Sequence, residues 1–549
     1  MITAIIAMFQ TQQVISQSHY SSYQQMSQKI DQIGRQNRDL CTVKSLVKTG
    51  EARDIWLITV GSGMKDDKPG IAIVGGVAGN YLLGRELALG FAYKILNSAS
   101  EAGVRELLNK ITFYILPDVS PDATEQFFSK VKYERKLNSR STDDDRDFLT
   151  DEDPCEDLNN DGFISLIRIK DPSGKYSESD EDKRVMVQAD ISKGQTGGFL
   201  VYTEGIDNDK DGSFNEDGAG GVTFNSNFSY NYEEFGAGAG LHPVSEPETK
   251  AVADFLFDSF NIFAVFTFGP QDNLGQPMKA SEQPAGNQNP SQDQGPFQGP
   301  PMRERTKITS ILKTDELVNK FVSDRYHEIT GFKGAPVTNP APGNFMDWAY
   351  FHYGRYSFGT PGWWFPIEKG KNFEAAFLKY AEKNKLNDVF IPWTEIAHPD
   401  FPGKITEVGG LKPFVTLNPP ADSIESLINS HFRFITEVAA MHPELEFLEI
   451  KSENVGENIF RVSLKVHNKG IFATCAEIGD QFLWTRIMRI TLNPSKGQAI
   501  QSGSKVQRIQ RLQGDESAEF SWLISGKGPV DVTAGSANVG NINTTVDLK

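Results

Sequence analysis

Residues 75–87 read GGVAGNYLLGREL, and this stretch decides the fold of the first part of the chain. The apolar run at 70–77 predicts a buried strand, and the segment from Leu82 to residue 97 predicts a helix. A glycine-rich turn between a strand and a helix usually presents side chains to a pocket at the carboxyl edge of an α/β sheet. The two positions that would point into this pocket are Ala78 and Tyr81. The sequence therefore predicts a pocket whose first turn offers no obvious chemistry.

Apolar strands and helices alternate around this turn. Strands are predicted at 54–61, 111–117, 263–269 and 356–365, and helices at 21–40, 245–260 and 314–331. The alternation predicts an α/β fold, with a mixed twisted sheet that carries helices on both faces, over residues 21–440. From about residue 442 the sequence changes to short alternating strands, which predict a C-terminal β-sandwich over 445–549.

Three segments fall outside this pattern. Residues 1–20 contain a short apolar run with no basic residue before it, which indicates either a truncated signal peptide or a disordered tail. Residues 141–220 form an insertion rich in Asp, Asn and Gly, and residues 271–303 are rich in Gln, Pro and Gly. Residues 271–303 lack apolar periodicity, so we expect them to form a mobile surface loop.

The size and charge of the chain limit its class of function. At 549 residues it is too long for one compact core, and two or three domains are expected. A net charge of −17 argues against nucleic acid and anionic membranes as partners. No segment approaches the length of a membrane span, and the three widely separated cysteines cannot form a disulfide framework.

Acidic side chains alternate along three loops of the first insertion, at residues 143–153, 157–164 and 207–217. Oxygen ligands at alternate positions of a tightly turning loop suit calcium, a hard cation. An EF-hand loop ends with a bidentate glutamate at its twelfth position, and these loops lack it. The second and third loops have Arg168 and Gly218 at that position, so other segments must complete the ligand shell of each ion. A solvated acidic insertion is the alternative interpretation. The predicted calcium ligands are Asp143, Asp145, Asp147, Asp151, Asp153, Asp157, Asn159, Asp161, Asp207, Asp209, Asp211, Asn215 and Asp217.

The order of the segments resembles that of the zinc carboxypeptidase family (carboxypeptidase A type), in a bacterial form with calcium loops and a trailing β-sandwich. The resemblance covers roughly residues 21–440. It rests on GGVAGNYLLGREL, ITFYILPDVSPDA, GVTFNSNFSYNY, HPVSEPETKAVADFL, FAVFTFGPQDN and GNFMDWAYFHYGRYSFGTPGWW. Any one of these motifs is a weak signal, and six in the same order are a strong match for the fold.

The resemblance implies a zinc ion held by a His-x-x-Glu pair and a later histidine, with a glutamate as general base. In this sequence the three ligand positions carry Ala78, Tyr81 and Gly269, and the base position carries Pro361. None of the eight histidines is followed by a glutamate three places on, so no shift of the alignment restores the pair. We therefore expect calcium and no zinc.

The substrate positions implied by the resemblance are also changed. The arginine that would grip a substrate's carboxylate is replaced by Ser226, beside a retained Asn225. Either Arg135 or Arg140 is the candidate match for the arginine that steadies the oxyanion, and a surface charge is the alternative interpretation of Arg135. Four aromatic residues either supply stacking surface in the cleft or pack the core: Tyr81, Trp348, Trp363 and Trp364.

These features together predict a catalytically inactive metallocarboxypeptidase homologue outside the cytoplasm. Its function would be to bind a peptide, a glycan-linked peptide or a protein, in the cleft or through the sandwich. Two alternatives stay open. One is an active peptidase that uses atypical metal ligands, and the other is a purely structural module of a surface assembly.

Overall fold

The computed structural model describes residues 20–143, 148–210, 212–215, 218–281, 308–338 and 341–549. Residues 1–19 of the predicted tail and residues 282–303 of the predicted mobile loop lie outside these ranges. Both interpretations therefore stay predictions.

The helices and strands follow one another along the whole chain. The α-helices of the described residues are α1 (Tyr23–Gln36), α2 (Leu82–Asn97), α3 (Ala102–Lys110), α4 (Pro121–Thr124), α5 (Pro247–Asp258), α6 (Lys313–Thr330), α7 (Phe345–Phe351), α8 (Phe373–Lys383), α9 (Ile424–Ala440) and α10 (Glu477–Gln481). The strands that precede the sandwich are β1 (Cys41–Lys48), β2 (Asp54–Val60), β3 (Gly70–Val74), β4 (Thr112–Leu116), β5 (Leu166–Lys170), β6 (Tyr176–Glu178), β7 (Met186–Gln188), β8 (Phe199–Thr203), β9 (Ile262–Phe268), β10 (Tyr356–Thr360), β11 (Phe390–Ile396) and β12 (Thr406–Leu411). Those of the sandwich are β13 (Leu445–Gly456), β14 (Ile459–Asn468), β15 (Arg489–Asn493), β16 (Ala499–Ser502), β17 (Val506–Arg508), β18 (Glu516–Ser525), β19 (Gly528–Ser536) and β20 (Gly540–Leu548).

A six-stranded mixed sheet forms the centre of the first domain, in the order β1-β2-β4-β3-β9-β10. Strands β4, β3, β9 and β10 run parallel, and β1 and β2 are antiparallel at one edge. Every residue of the four parallel strands is buried, as expected for a sheet covered by helices. Helix α2 packs closely on α9, where a Cβ at Gly90 would lie only 2.7 Å from the Ile428 side chain. The predicted α/β fold class is confirmed.

Two strands end earlier in the chain than the sequence predicts, one at a pair of glycines and the other at a proline. Strand β3 ends at Val74 because the chain turns at Gly75 and Gly76. A Cβ at Gly75 would lie 2.5 Å from two carbonyl oxygens, and Gly76 has a φ of 67°, so both positions require glycine. Strand β10 ends at Thr360, because Pro361 has no N–H to continue the ladder.

The acidic insertion contributes to a second sheet that the sequence does not predict. Strands β5 to β8 join β11 and β12 in an antiparallel sheet of order β11-β12-β5-β8-β6-β7. Its small core contains Ile167, Ile169 and Val408. The insertion is therefore a folded layer with apolar contacts of its own.

The C-terminal region is a β-sandwich, as predicted. Its two four-stranded sheets have the orders β13-β14-β18-β16 and β17-β15-β19-β20. Buried and more exposed residues alternate along β14 and β18, which is the pattern of strands with one face in a core. That core includes Phe460, Trp522 and Val532.

The first domain and the sandwich share buried apolar contacts. The segment between β14 and β15 leaves the sandwich, and its Phe472, Ala476 and Ile478 are buried in the core of the first domain. Phe472 stacks edge-on against Tyr356 of β10, with ring centroids 5.1 Å apart. The sandwich is therefore packed against the first domain through this buried segment rather than joined to it by a free linker.

A buried carboxylate reinforces this junction. Asp315 of α6, which is 1% exposed, accepts hydrogen bonds from the N–H groups of Glu477 (2.9 Å) and Ile478 (3.3 Å) at the start of α10. It also accepts a hydrogen bond from the Tyr350 hydroxyl at 2.8 Å and lies 3.6 Å from the Arg511 guanidinium of the sandwich. One side chain thus connects α6, α7, α10 and the sandwich.

The outer edge of the central sheet is closed by an asparagine. Asn273, which is 1% exposed, donates its backbone N–H to the Gly359 carbonyl (3.0 Å) and accepts the Gly359 N–H on Oδ1 (2.8 Å). Its Nδ2 donates to the Ser357 carbonyl at 2.8 Å. Backbone and amide together satisfy the groups that a further strand beside β10 would satisfy.

No helix of the described residues combines the length and the apolar character that a membrane crossing needs.

Candidate cleft at the carboxyl edge of the sheet

The turn that follows β3 is held in place by side chains from distant loops. The N–H groups of Leu82 and Leu83 at the start of α2 donate to Oδ1 of Asn418, at 2.7 Å and 3.2 Å. Asn418 thereby caps a helix whose own N-cap residue, Tyr81, supplies no side-chain cap. Nδ2 of Asn80 donates to Glu134 at 2.9 Å and fixes the tip of the turn.

The positions implied as zinc ligands and base lie around this turn. Gly269, at the end of β9, is so close to Val77 that a Cβ on it would lie 2.2 Å from Val77 Cγ2. The Gly269 N–H donates to the Thr360 carbonyl at 3.1 Å, which places it beside Pro361. Ala78 is the next residue after Val77 and is 5% exposed.

Tyr81 and Pro361 line one cleft of about 430 Å³ at this end of the sheet. A cavity of this size suits a small ligand or a short segment of a larger one. Its wall is mostly apolar and aromatic. The apolar residues include Tyr81, Pro361, Trp363, Trp364, Phe365 and Phe373, and the charged and amide side chains are Lys136, Gln271 and Asp272.

The aromatic residues predicted for the cleft divide into two groups. Trp363 and Trp364 line the cleft while being 8% and 7% exposed, so each combines core packing with a face toward the cavity. Trp348 does not line it. Trp348 is 2% exposed and packs between Phe228 and Tyr353, so of the two alternatives it packs the core.

The retained Asn225 and its neighbour Ser226 lie on a short turn near the cleft wall. Asn225 accepts the Phe345 N–H at 3.0 Å and donates from Nδ2 to Oε1 of Gln271, a cleft residue, at 2.5 Å. Ser226 is not among the residues that line the cleft. Both the oxygen and the nitrogen of the Asn225 amide are hydrogen-bonded within the protein, so Asn225 contributes to the cleft by positioning Gln271.

Neither candidate arginine lines the cleft. Arg135 is bound to the carbonyls of Leu137 and Asn138 and pairs with Glu51 at 3.1 Å. Arg140 pairs with Glu246 at 2.7 Å. Each guanidinium is held by these partners and neither is among the residues that line the cleft.

Three polar residues of the cleft escaped the sequence prediction. Lys136 directly follows Arg135 in the sequence, and Gln271 and Asp272 follow the strand that ends at Phe268. The available signal is positional, since polar residues directly after a buried parallel strand lie at the edge where α/β proteins bind ligands. Burial raises the pKa of Asp272 to about 6, although the N–H groups of its loop and the nearby His327 oppose the rise.

The residues at the implied zinc positions do not fit a zinc ion. Ala78 and Gly269 have no donor atom, and the space beside Gly269 is filled by Val77. Burial, together with Glu134, raises the pKa of the Tyr81 phenol to about 12, which keeps this side chain neutral and a poor metal ligand. Pro361 cannot act as a base.

The second acidic loop forms a tight turn on itself. Asp157 accepts the N–H groups of Asp161 (3.1 Å) and Gly162 (2.9 Å), and Asn159 Oδ1 accepts the Asp161 N–H at 2.9 Å. Gly162 has a φ of 85°, in keeping with its predicted role at the sharp turn. The three predicted ligands of this loop thus lie on one short bend.

The first and third loops meet at Asp153. This residue is fully buried, and its two oxygens accept the N–H groups of Asn208 at 2.9 Å and Asn215 at 2.5 Å. Asp153 therefore links the two loops, and its role as a calcium ligand stays a prediction. Asp145, Asp147, Asp211 and Asp217 lie outside the described residues. Among the residues that are described, no three His, Cys, Asp or Glu side chains are grouped to hold a metal ion.

Comparison with known proteins identifies the family of the first domain. A family model described as zinc carboxypeptidase matches residues 26–362, and a model described as a domain of unknown function matches residues 444–547. Carboxypeptidase E of Caenorhabditis elegans is 27% identical over 140 residues, which are 24% of this chain and 30% of that protein. Human carboxypeptidase D is 27% identical over 135 residues, which are 24% of this chain and 10% of that protein. The chain thus covers less than a third of either relative.

Two solved structures align with most of the chain at low sequence identity and with TM-scores below 0.5. Thrombin activatable fibrinolysis inhibitor is 14% identical, with a TM-score of 0.42 and coverage of 78% of both chains. Carboxypeptidase A from Helicoverpa armigera is 12% identical, with a TM-score of 0.42 and coverage of 77% of this chain and 74% of that one. The family model alone spans more than half of the 549 residues, and the chain therefore belongs to the zinc carboxypeptidase family.

Proposed function

We propose that this chain is a catalytically inactive member of its family that binds a peptide in the cleft. The observation that carries the proposal is the set of side chains at the four chemical positions. Ala78, Gly269 and Pro361 have no group that binds zinc or takes up a proton, and Tyr81 is held neutral by burial. Without three ligands and a base, the family has no means of activating water.

The shape and lining of the cleft favour binding. The scaffold is intact, since Asn418 and Glu134 hold the turn that forms one wall. A cavity of about 430 Å³ with aromatic walls and few polar groups is typical of a ligand site. A glycan-linked peptide or a protein segment would enter the same cavity through its peptide part.

Two assays test this proposal. In a peptide-hydrolysis screen we expect no turnover that a chelator abolishes, and chelator-sensitive turnover would contradict the proposal. In a peptide-binding screen, Val337→Trp should abolish binding, because Val337 lines the cleft and is 82% exposed, so a larger side chain fills the cavity at little cost to the fold. Val455→Trp on the exposed strand β13 is the matched control. Binding that survives Val337→Trp would favour the sandwich or a structural role instead.

We also propose that the acidic insertion binds calcium and that the protein acts outside the cytoplasm. The support is the alternation of oxygen ligands on three loops, of which the second bends around Asp157, Asn159 and Asp161. Sites completed by other segments are expected to be weak, and weak calcium sites are filled at extracellular calcium concentrations.

Calcium is expected to raise the melting temperature. A ligand that binds only the folded state stabilises it by about 2.7 kcal/mol at a hundred times its Kd. Differential scanning calorimetry with calcium, and again with a chelator, measures this shift. The double variant Asp157→Asn and Asp161→Asn should reduce it, whereas Asp254→Asn, an exposed carboxylate on α5, should not. A melting temperature indifferent to calcium, or one zinc ion per chain by elemental analysis, would overturn the proposal.

A further inference from the structure

A polar cavity of about 540 Å³ lies where helix α6, helix α10 and the β-sandwich meet. It is lined by two arginines, two glutamines, a glutamate, an aspartate and a threonine, so every lining side chain is polar. One of the arginines, Arg511, lies 3.5 Å from the hydroxyl of Tyr356, the first residue of β10, whereas Pro361 of the cleft follows the last residue of that strand. This junction cavity is therefore at the opposite end of β10 from the cleft.

One wall of the junction cavity is fixed by hydrogen bonds within the protein. Arg511 donates from Nε to the Cys475 carbonyl at 2.7 Å and lies 3.6 Å from Asp315. Oε2 of Glu477 accepts the Thr314 N–H at 3.1 Å and the Thr314 hydroxyl at 2.6 Å. A wall that is already ordered lowers the entropy cost of binding a ligand.

The other wall presents polar groups that the protein itself does not use. Gln510 and Gln513 are exposed, and no hydrogen bond engages either side-chain amide within the part of the chain that the structure describes. The Arg508 guanidinium lies 3.9 Å from Oδ1 of Asp480, which is too long for a hydrogen bond. This wall therefore offers two amides, a guanidinium and a carboxylate, a set that both donates and accepts hydrogen bonds.

An apolar ridge, formed by Leu483, Trp484 and Ile487, borders the junction cavity. Leu483 and Ile487 line a small adjoining cavity of about 20 Å³ together with Arg508. The three ridge side chains are 57%, 37% and 37% exposed. Leu483 also has a φ of 57°, a left-handed conformation that is strained for a bulky residue. The loop thus holds apolar side chains at the surface at a conformational cost, which indicates a contact surface.

We propose that the junction cavity and the apolar ridge bind a neutral oligosaccharide. A sugar ring carries hydroxyl groups at its edge and C–H groups on its faces, so it fits a polar cavity beside apolar side chains. The cavity contains two guanidinium and two carboxylate groups, which leave no excess charge to select an ion. The net charge of −17 further disfavours a polyanion. The site is separate from the cleft and goes beyond the proposed peptide binding.

Four probes test this inference by ligand-observed NMR on the full-length protein. Cellohexaose and maltohexaose represent polysaccharide chains, and a blocked asparagine that carries N,N′-diacetylchitobiose represents a glycan joined to a peptide. Hexagalacturonate is similar in size to the hexaoses and carries a carboxylate on every ring. At least one neutral probe should bind at least about tenfold more tightly than hexagalacturonate, and the probe that binds identifies the source of the sugar.

Two variants place the sugar at this site. The double change Gln510→Ala and Gln513→Ala removes both unused amides and should weaken binding at least about tenfold. The matched control, Asn541→Ala with Asn543→Ala, changes two exposed amides on β20 and should leave binding unchanged. Leu483→Asn removes an apolar contact and should also weaken binding. Asparagine tolerates the left-handed conformation, so this variant should be at least as stable as the parent in thermal unfolding.

Three results would overturn the inference and leave the peptide binding of the cleft standing. They are failure of all three neutral probes to bind, equally tight binding of hexagalacturonate, and binding that either variant leaves unchanged. Sugar binding abolished by Val337→Trp would place the sugar in the cleft and also overturn it. Absence of peptide binding, beside sugar binding that both variants weaken, would overturn only the function proposed for the cleft.

Sedimentation velocity tests a second copy of the chain as the occupant of the apolar ridge. The parent and Leu483→Asn should have the same oligomeric state, because the ridge contacts a sugar and not another molecule of the protein. A parent dimer that Leu483→Asn dissociates would make the ridge an interface between copies and would overturn the inference.

Discussion

Replacing Asp315 with alanine is expected to lower the free energy of unfolding by about 3–5 kcal/mol, the range for breaking a buried ion pair by removal of one partner. The change leaves the Arg511 guanidinium, which is mostly buried, without its carboxylate. It also removes the acceptor of the Tyr350 hydroxyl and of two N–H groups at the start of α10. Burial raises the pKa of Asp315 against the effect of these donors, so the ionised carboxylate carries a cost of its own and the loss should fall at the lower end of the range.

Denaturant unfolding monitored by tryptophan fluorescence measures this loss. Asp324→Ala is the matched control, because Asp324 lies on the same helix with its side chain 56% exposed and pairs with Lys320 one turn away. The control should change the unfolding free energy by less than about 1 kcal/mol. A loss of similar size in both variants would show that the contact between α6 and α10 does not hold the two domains together.

The second large effect concerns zinc. Introducing Ala78→His, Tyr81→Glu and Gly269→His together is expected to give no tight zinc site, because Val77 Cγ2 occupies the space beside position 269. Adding Val77→Ala removes that atom, and the next nearest atom, Val77 Cβ, is 3.7 Å away. We expect the four changes together to raise zinc affinity at least about a hundredfold over the three alone.

Isothermal titration calorimetry with zinc compares these variants, with Val77→Ala alone as the control for the cavity it leaves. Peptidase activity should not return in any of these variants, because Pro361 and Ser226 still replace the general base and the arginine that would bind a substrate's carboxylate. Tight zinc binding by the three changes without Val77→Ala would mean that the loop after β9 adjusts freely. Zinc binding that stays weak with all four would mean that the turn no longer points position 78 into the cleft.

Much of the fold follows from the sequence because its central strands are continuous apolar runs. Strands β3, β4 and β9 are buried along their whole length, and the glycines and proline beside them mark the turns. The second sheet was missed for a physical reason. Its strands are short, several are only half-buried, and β5 pairs with β12, which lies far away along the chain.

The sequence could predict only those site residues whose position in the fold follows from a recognised motif. The loss of donors at Ala78 and Gly269 is visible in the sequence, because those positions have defined places between a strand and a helix or after a strand. Asp272 also follows a strand, but that position indicates only that the residue lies near the edge of the sheet. The hydrogen bonds that its Oδ1 accepts from the N–H groups of Leu274 and Gly275 are properties of the folded loop.

Asn273, at the outer edge of the central sheet, affects whether two molecules of this protein can associate through that edge. An exposed parallel strand with free N–H and C=O groups can template the addition of a strand from a second molecule, and polymers grow in that way. The amide of Asn273 occupies those groups on Ser357 and Gly359, so the sheet has no growing end on this side. The backbone and amide of the segment at Asn273 therefore protect this edge from the addition of a strand from a second molecule.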